Sequence, residues 1–316
     1  MDFGKIISTG FGQAWKYKSL WILGFLLSLG EGGGNYNYNF GQNENIQIPD
    51  WLGIENIREF DFLRFITDHA LLIAMIILGL FLLFVIFFIL SRIACGALID
   101  AGGKFKRDEA YTLGSSFRIG VSRFWSLLGI ALLNIIVVVG LVLFLVLLGM
   151  IAFYIHIAIG IMSLLVLIPI LIIGIFIMTA TVAMAERYIV LEKRPVFDAI
   201  VDGWNLWTSS KGNTVLYALI YIALAIGLMI GIGFILLAIA LPFIALGIVN
   251  LFLALLLGIP VALLLLLVFE GFSGSAMHLM TTEFYFQLRE KTDIPKGAVQ
   301  APDQDGYQPP TATGEI

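Results

Sequence analysis

The chain has 316 residues, of which 60% are hydrophobic and 13% are charged, and its formal net charge is −4. This composition lies outside the range of soluble globular domains. The single cysteine, Cys95, excludes an intrachain disulfide and any zinc site built from several cysteines, and it is expected to pack as a small apolar residue beside the membrane. No basic stripe alternates with aromatic residues, which argues against nucleic-acid binding.

Long stretches without charge predict membrane helices. Asp, Glu, Lys and Arg are absent from the 22 residues 70–91, from the 62 residues 124–185 and from the 58 residues 212–269. A helix rises ~1.5 Å per residue and the hydrocarbon core is ~30 Å thick, so the first run crosses once and the longer runs fold back as hairpins. Because lipid offers no hydrogen-bond partners to the backbone, these segments must be helical.

The sequence therefore predicts an all-α integral membrane protein with about six transmembrane helices arranged as three hairpins. The predicted spans are 18–32, 69–92, 124–150, 159–185, 213–239 and 246–270. The first span rests on the short apolar stretch from Leu20 to Leu29, which follows Lys5, Lys16 and Lys18 and also has the proportions of a signal peptide. An uncleaved first span and a cleaved signal both remain open, and both give the same topology for the later spans.

Short amphipathic helices are predicted before each hairpin. Apolar residues recur at gaps of three and four over residues 3–14, 110–124 and 197–207, which is the helical period. Such helices lie in the membrane interface with their aromatic side chains at the acyl boundary. The predicted membrane-interface anchors are Phe117, Phe124, Trp125, Phe197, Trp204 and Trp207.

The distribution of positive charge predicts the orientation. Sixteen of the 18 Lys and Arg residues fall on one side of the predicted spans, and only Arg58 and Arg64 fall on the other. By the positive-inside rule, both termini face the cytoplasm and the protein lies in the plasma membrane. Residues 33–68 then form an outer loop, whereas residues 294–316, which are polar and rich in Pro and Gly, form a disordered cytoplasmic tail.

Polar residues inside the spans are few. Asn134 and Asn250 are expected to form interhelical hydrogen bonds, although a solute pathway lined by them and by Pro169 and Pro260 stays open. No ionisable group lies near the middle of a span, which argues against an ion-coupled transporter. The Glu186-Arg187 pair is expected to mark a span boundary rather than to bind a substrate.

Catalytic and metal sites are not expected. Residues 271–274, Gly-Phe-Ser-Gly, match a pattern of rhomboid-type intramembrane proteases, but the nearby His278 follows the last span and no neighbouring span supplies a base to Ser273. The three histidines are scattered and lack metal-ligand spacing. The sequence predicts no catalytic, cofactor-binding or metal-binding residue.

The stretch 185–207, AERYIVLEKRPVFDAIVDGWNLW, resembles a signature of a loose group of uncharacterised bacterial multi-spanning proteins. The group includes the membrane domain attached to some glycerophosphodiester phosphodiesterases. Residues 99–125 and 5–21 resemble weaker copies of the same stretch. The resemblance implies a membrane-domain architecture, and no catalytic residue carries over because the phosphodiesterase barrel is missing.

The favoured function is a non-enzymatic multi-pass protein that organises lipid or partner proteins at the cytoplasmic face of the membrane. Its expected partners are the lipid bilayer and other membrane proteins, with no nucleic acid, and its oligomeric state is not readable from the sequence. Two alternatives stay open: a permease or export component for an apolar or weakly polar solute, and a membrane-embedded lipid-processing enzyme.

Overall fold

The protein is described here from a computed structural model, which covers residues 1–30 and 69–292, with only the backbone of Ile248 and Val249. The predicted outer loop and tail lie outside the described residues. Every regular element within these ranges is a helix, so the all-α prediction is confirmed. The helices are α1 Phe3–Lys16, α2 Leu20–Gly30, α3 Ala70–Lys106, α4 Leu113–Ser122, α5 Phe124–Ile155, α6 Ile157–Leu191, α7 Val196–Ser209, α8 Lys211–Val249 and α9 Leu251–Lys291.

Five helices, α3, α5, α6, α8 and α9, are long and apolar enough to cross a membrane. They contain between 32 and 41 residues each. A crossing needs only ~20 residues. Each long helix therefore extends well beyond the hydrocarbon.

Burial divides the long helices into two parts. In α3, α6 and α9 the side chains are mostly exposed over residues 70–90, 157–180 and 251–270, and they become mostly buried from Ser91, Thr181 and Gly271 onwards. Each exposed part is about as long as a bilayer crossing. The buried parts pack together at one end of the protein. We call this end the hub, and it comprises α1, α2, α4 and α7 with residues 91–106, 181–191 and 271–291.

The opposite end of the bundle contains two single-residue breaks. His156 separates α5 from α6, and its Nδ1 accepts a hydrogen bond from the Ala158 backbone N–H at 3.1 Å. Asn250 separates α8 from α9, and its Oδ1 accepts from the Leu253 N–H at 3.1 Å. Each side chain caps the helix that follows it, in the usual manner of a helix start.

The first predicted span appears as the short helix α2. Its 11 described residues rise about 16 Å, roughly half of the hydrocarbon thickness. Leu20, Leu23 and Leu27 are buried, and Ser91 of α3 donates to the Leu27 carbonyl at 3.0 Å. The described part of this segment is thus a helix of the hub, and its crossing of the membrane stays a prediction.

The three short amphipathic stretches are formed as α1, α4 and α7, and each contains a glycine pressed against a long helix. A Cβ on Gly10, Gly120 or Gly203 would lie 2.8, 2.2 or 2.8 Å from the carbonyl oxygen of Ala276, Ile93 or Thr181. Only glycine permits such close backbone approach. The contacts place α1 on α9, α4 on α3 and α7 on α6, so one packing arrangement occurs three times around the hub.

Candidate functional site: the ionic cluster of the hub

Three long helices bring five polar side chains together inside the hub. We call Arg92, Cys95, Glu186, Arg187 and His278 the ionic cluster. The glycine contacts make Ile93, Thr181 and Ala276 equivalent positions of the repeated arrangement. Two residues further on, α3 has Cys95, α6 has Ala183 and α9 has His278. The small Ala183 leaves room for the Arg187 side chain, which turns back and donates to the Ala183 carbonyl at 2.6 Å.

Glu186 is the anionic centre of the cluster. Arg92 Nη1 lies 3.6 Å from its Oε1, and Arg187 Nη1 lies 3.4 Å from its Oε2. Arg187 is only 2% exposed and Glu186 is 7% exposed. Water therefore screens these charges weakly, and both guanidiniums share this carboxylate as a counter-charge.

His278 completes the cluster on α9. Its Nε2 lies 3.7 Å from Cys95 Sγ, and its Nδ1 lies 3.5 Å from Arg187 Nη2. Burial lowers the pKa of His278 well below its ordinary value, and the positive charges of Arg187 and Arg92 lower it further. The imidazole is therefore neutral at physiological pH.

The cluster also contains three atoms of the kind that ligate metals. One ligand atom each from Cys95, Glu186 and His278 lie within 4.8 Å of one another. The Glu186 carboxylate, however, already contacts two guanidiniums. A divalent cation here would lie beside two guanidiniums, and the carboxylate among its ligands already contacts both of them, so its binding is opposed by repulsion. The donor set does not fit a resident metal, and the arrangement suits an ion-pair network between α3, α6 and α9.

Further ion pairs surround the ionic cluster in the hub. Tyr285 of α9 donates to Glu192 Oε1 at 2.5 Å, and Arg289 pairs with the same carboxylate. Lys106, at the end of α3, lies 3.4 Å from Glu283 Oε1. These contacts join the same three long helices farther along the hub, so the ionic cluster is enclosed.

A model of the family described as "Family of unknown function (DUF7544)" matches residues 12–287. The chain belongs to this family. The matched region of DUF7544 includes all five residues of the ionic cluster. No curated protein matches the chain. No solved structure matches it either.

The predicted interface anchors of this DUF7544 member divide into two groups. Trp125 is 78% exposed, and Phe197 and Trp204 are exposed as well. Phe117 and Phe124 are partly buried. Trp207 is only 6% exposed, and its indole N–H donates to Thr181 Oγ1 at 2.9 Å. Trp207 therefore attaches α7 to α6 instead of facing lipid.

The two predicted intramembrane asparagines also differ from each other in exposure and in hydrogen bonding. Asn250 is exposed and caps α9 at the end of the bundle away from the hub. Asn134 lies within α5, and its Oδ1 is buried without a hydrogen-bond partner. No partner on another helix is thus recorded for this atom among the described residues.

Ser273 of the protease-like pattern forms its hydrogen bond within its own helix. Ser273 Oγ donates to the Phe269 carbonyl of its own helix at 2.8 Å. His278 contacts Cys95 and Arg187 on the other long helices. Residues five apart on a helix are separated by about 140° around its axis, which explains why these two side chains point to different neighbours.

Sequence reasoning missed the ionic cluster because its members are far apart in the chain. Glu186 and Arg187 were expected to be boundary charges and Cys95 a packing residue, and nothing in the sequence brings position 92 to position 278. One signal was present. Arg92 and Glu186 are the first ionisable residues after two charge-free runs, which is where helices leaving the membrane would meet.

The depressed pKa of His278 predicts a pH dependence of hub stability. The unfolded imidazole takes up a proton near pH 6.5, whereas the folded one does so only at a lower pH. The stability that the neutral His278 contributes to the hub is therefore fully present above about pH 6.5, and it should be lost as the pH falls through the folded pKa. We expect the thermal midpoint of the detergent-solubilised protein to fall less steeply below pH 6.5 in His278→Gln than in the wild type. Parallel curves for the two proteins would contradict this prediction.

Proposed function

We propose that this protein is a non-catalytic membrane protein that organises lipids or partner proteins through the hub. The observation that carries the proposal is the separation of its two parts. The membrane-spanning parts of α3, α6 and α9 expose mostly apolar side chains, whereas the ion pairs of the ionic cluster are buried in the hub. The ionic cluster is buried and links α3, α6 and α9, which supports a role in holding three membrane helices together at one end.

The proposal places the hub in the cytoplasm. Its support is the distribution of Lys and Arg predicted from the sequence, which puts sixteen residues on the cytoplasmic side of the spans and two on the other. The resemblance to membrane domains attached to phosphodiesterases agrees with this proposal, because that resemblance concerns architecture and carries no catalytic residue. The plasma membrane is the proposed location.

Topology is tested by cysteine labelling in a Cys95→Ser background. Position 109 is exposed beside the hub, in the connection between α3 and α4, and position 43 is in the predicted outer loop. A membrane-impermeant maleimide added to intact cells should label Asn43→Cys and leave Glu109→Cys unlabelled until the cells are opened. The reverse pattern would place the hub outside.

The organising role is tested by extraction in a mild detergent. We expect the purified full-length protein to retain phospholipid or a specific membrane protein at a fixed stoichiometry through repeated washing, measured by native mass spectrometry. A comparison with a variant carrying Trp204→Ala and Phe197→Ala, both exposed on α7, separates specific retention from carry-over. Complete loss of lipid and partner from the folded wild type would contradict the proposal.

One observation favours a permease as a second candidate. Asn134 Oδ1 is a buried acceptor without a partner in a predicted span, and such an atom is available to a polar group of a passing solute. Asn134→Leu separates the two functions. For an organiser, removal of a buried unsatisfied acceptor should leave thermal stability unchanged or raise it by about 1–3 kcal/mol of unfolding free energy, with lipid retention intact.

A permease predicts a different result for the same variant. Asn134→Leu would then be as stable as the wild type but would lose solute flux in proteoliposomes. Asn250→Leu is the control, since this residue caps α9 at the surface and should cost only the ~0.5–2 kcal/mol of a lost cap.

A further inference from the structure

A cleft in the hub is lined by basic side chains. It has a volume of about 280 Å³ and lies between the hub ends of α3, α4 and α6. Its charged lining residues are Asp100, Arg107, Arg123 and Lys193, and Ser122 adds a hydroxyl. Ligand pockets usually measure ~300–1,000 Å³, so this cleft is suited to a small polar group and not to a whole lipid.

The charges of the cleft do not cancel. Asp100 is paired with Lys104 at 2.8 Å, and Arg107 Nε donates to Glu109 Oε1 at 2.6 Å. Arg123 and Lys193 have no ion pair within residues 1–30 and 69–292. Two positive charges therefore face the cleft without a carboxylate partner, and an anion is the ligand that would compensate them.

Lys193, which lines the cleft, has an unusual backbone conformation. Its φ is 57°, in the left-handed region that residues with a Cβ seldom adopt. A glycine would fit this turn between α6 and α7 with less strain. The lysine that lines the cleft therefore comes with a conformational cost, which agrees with a functional role for its charge.

The cleft lies where a lipid headgroup would lie. Arg123 is the last charged residue before the 62 charge-free residues of α5 and α6. Trp125, two residues later, exposes its ring at the start of α5, as aromatic residues do at the headgroup level. The exposed apolar side chains of α5 continue from this point towards the far end of the bundle, for example Leu132 and Ile136.

We propose that the Arg107–Arg123–Lys193 cleft binds the phosphate of an anionic headgroup, with Arg123 and Lys193 as its principal cations. Basic pockets between membrane helices on the cytoplasmic side are suited to such headgroups. The acyl chains of a bound lipid would lie along the exposed face of α5. This inference rests on the proposed organising function and specifies its lipid class. Free phosphate shares the same chemistry, and the experiment distinguishes the two sources.

The test compares the wild type with Arg123→Gln/Lys193→Gln in the full-length purified protein. The matched control is Lys18→Gln/Lys211→Gln, which removes the same charge from two exposed residues outside the cleft. Dihexanoyl phosphatidylglycerol, dihexanoyl phosphatidylcholine and inorganic phosphate are each titrated, and binding is measured by native mass spectrometry. Thermal unfolding of the three proteins confirms that they are equally folded.

We expect phosphatidylglycerol to bind the wild type and the control variant equally and the cleft variant at least about tenfold more weakly, because two charge-assisted contacts are lost. Failure of inorganic phosphate to compete identifies the lipid headgroup as the source. Inorganic phosphate binding with the same tenfold loss supports the site with a soluble source. Equal anion binding by all three proteins, or no anion binding by the wild type, would overturn the inference. Retention of phosphatidylcholine or a partner in that case would leave the organising function standing.

Discussion

Replacement of Glu186 by Gln should lower the free energy of unfolding of the hub by about 3–5 kcal/mol. The substitution removes the carboxylate that Arg92 and Arg187 share, at 3.6 and 3.4 Å, so two buried guanidiniums lose the negative charge that lies between them. Chemical denaturation in a mild detergent, followed by tryptophan fluorescence, measures the change. No other single charge in the described hub contacts two buried arginines of two membrane helices.

The control for this prediction is Glu290→Gln. Glu290 also pairs with a cation, Lys106, at 3.3 Å, but its side chain is 66% exposed, so the expected cost is only ~0–1 kcal/mol. Removal of all three charges by Arg92→Met, Glu186→Leu and Arg187→Met should recover much of the loss, since well-packed apolar groups replace buried ion pairs at little cost. An effect of Glu186→Gln equal to that of Glu290→Gln would show that the ionic cluster does not hold the hub together.

Addition of one methyl group at Gly120 should destabilise the hub by about 1–3 kcal/mol or more. A Cβ at this position would lie 2.2 Å from the Ile93 carbonyl oxygen and 3.1 Å from the Ala97 nitrogen. Both atoms belong to the α3 backbone, so relief requires α4 to move away from α3. The same denaturation measurement detects this effect.

Gly114→Ala is the matched control, because it makes the same substitution in the same helix where no atom lies within 4 Å. Alanine favours helix over glycine by up to ~1 kcal/mol, so this variant should be unchanged or more stable. Gly10→Ala and Gly12→Ala form a second pair on α1, since only Gly10 contacts α9. Equal effects within either pair would show that these close contacts are not needed for the hub.

Both predictions concern contacts that the sequence did not reveal, whereas the membrane class and the helices were readable from it. Charge-free runs predicted the long helices because a long, continuously apolar segment in lipid satisfies its backbone hydrogen bonds within itself only as a helix. The three-four spacing of apolar residues predicted the short helices, and α1, α4 and α7 formed close to the predicted positions. The ends of the helices, in contrast, were not readable from the sequence. For example, α8 continues through Pro242 to Val249, because a membrane helix can accommodate a proline within it.

Composition and periodicity alone therefore determined that this protein is helical, where its chain becomes apolar and which stretches are amphipathic. Only the tertiary structure decided that Trp207 is buried in the hub while Trp125 faces outward, and that Arg92, Glu186 and His278 meet. The physical reason is the distance along the chain between the residues that interact. A span or a helical stripe is set by neighbouring residues and by the solvent around them, whereas an ion-pair network between α3, α6 and α9 depends on which long helices pack together in the hub. The contacts Arg92–Glu186 and Arg187–His278 join residues more than 90 positions apart, and no local pattern encodes such a pairing.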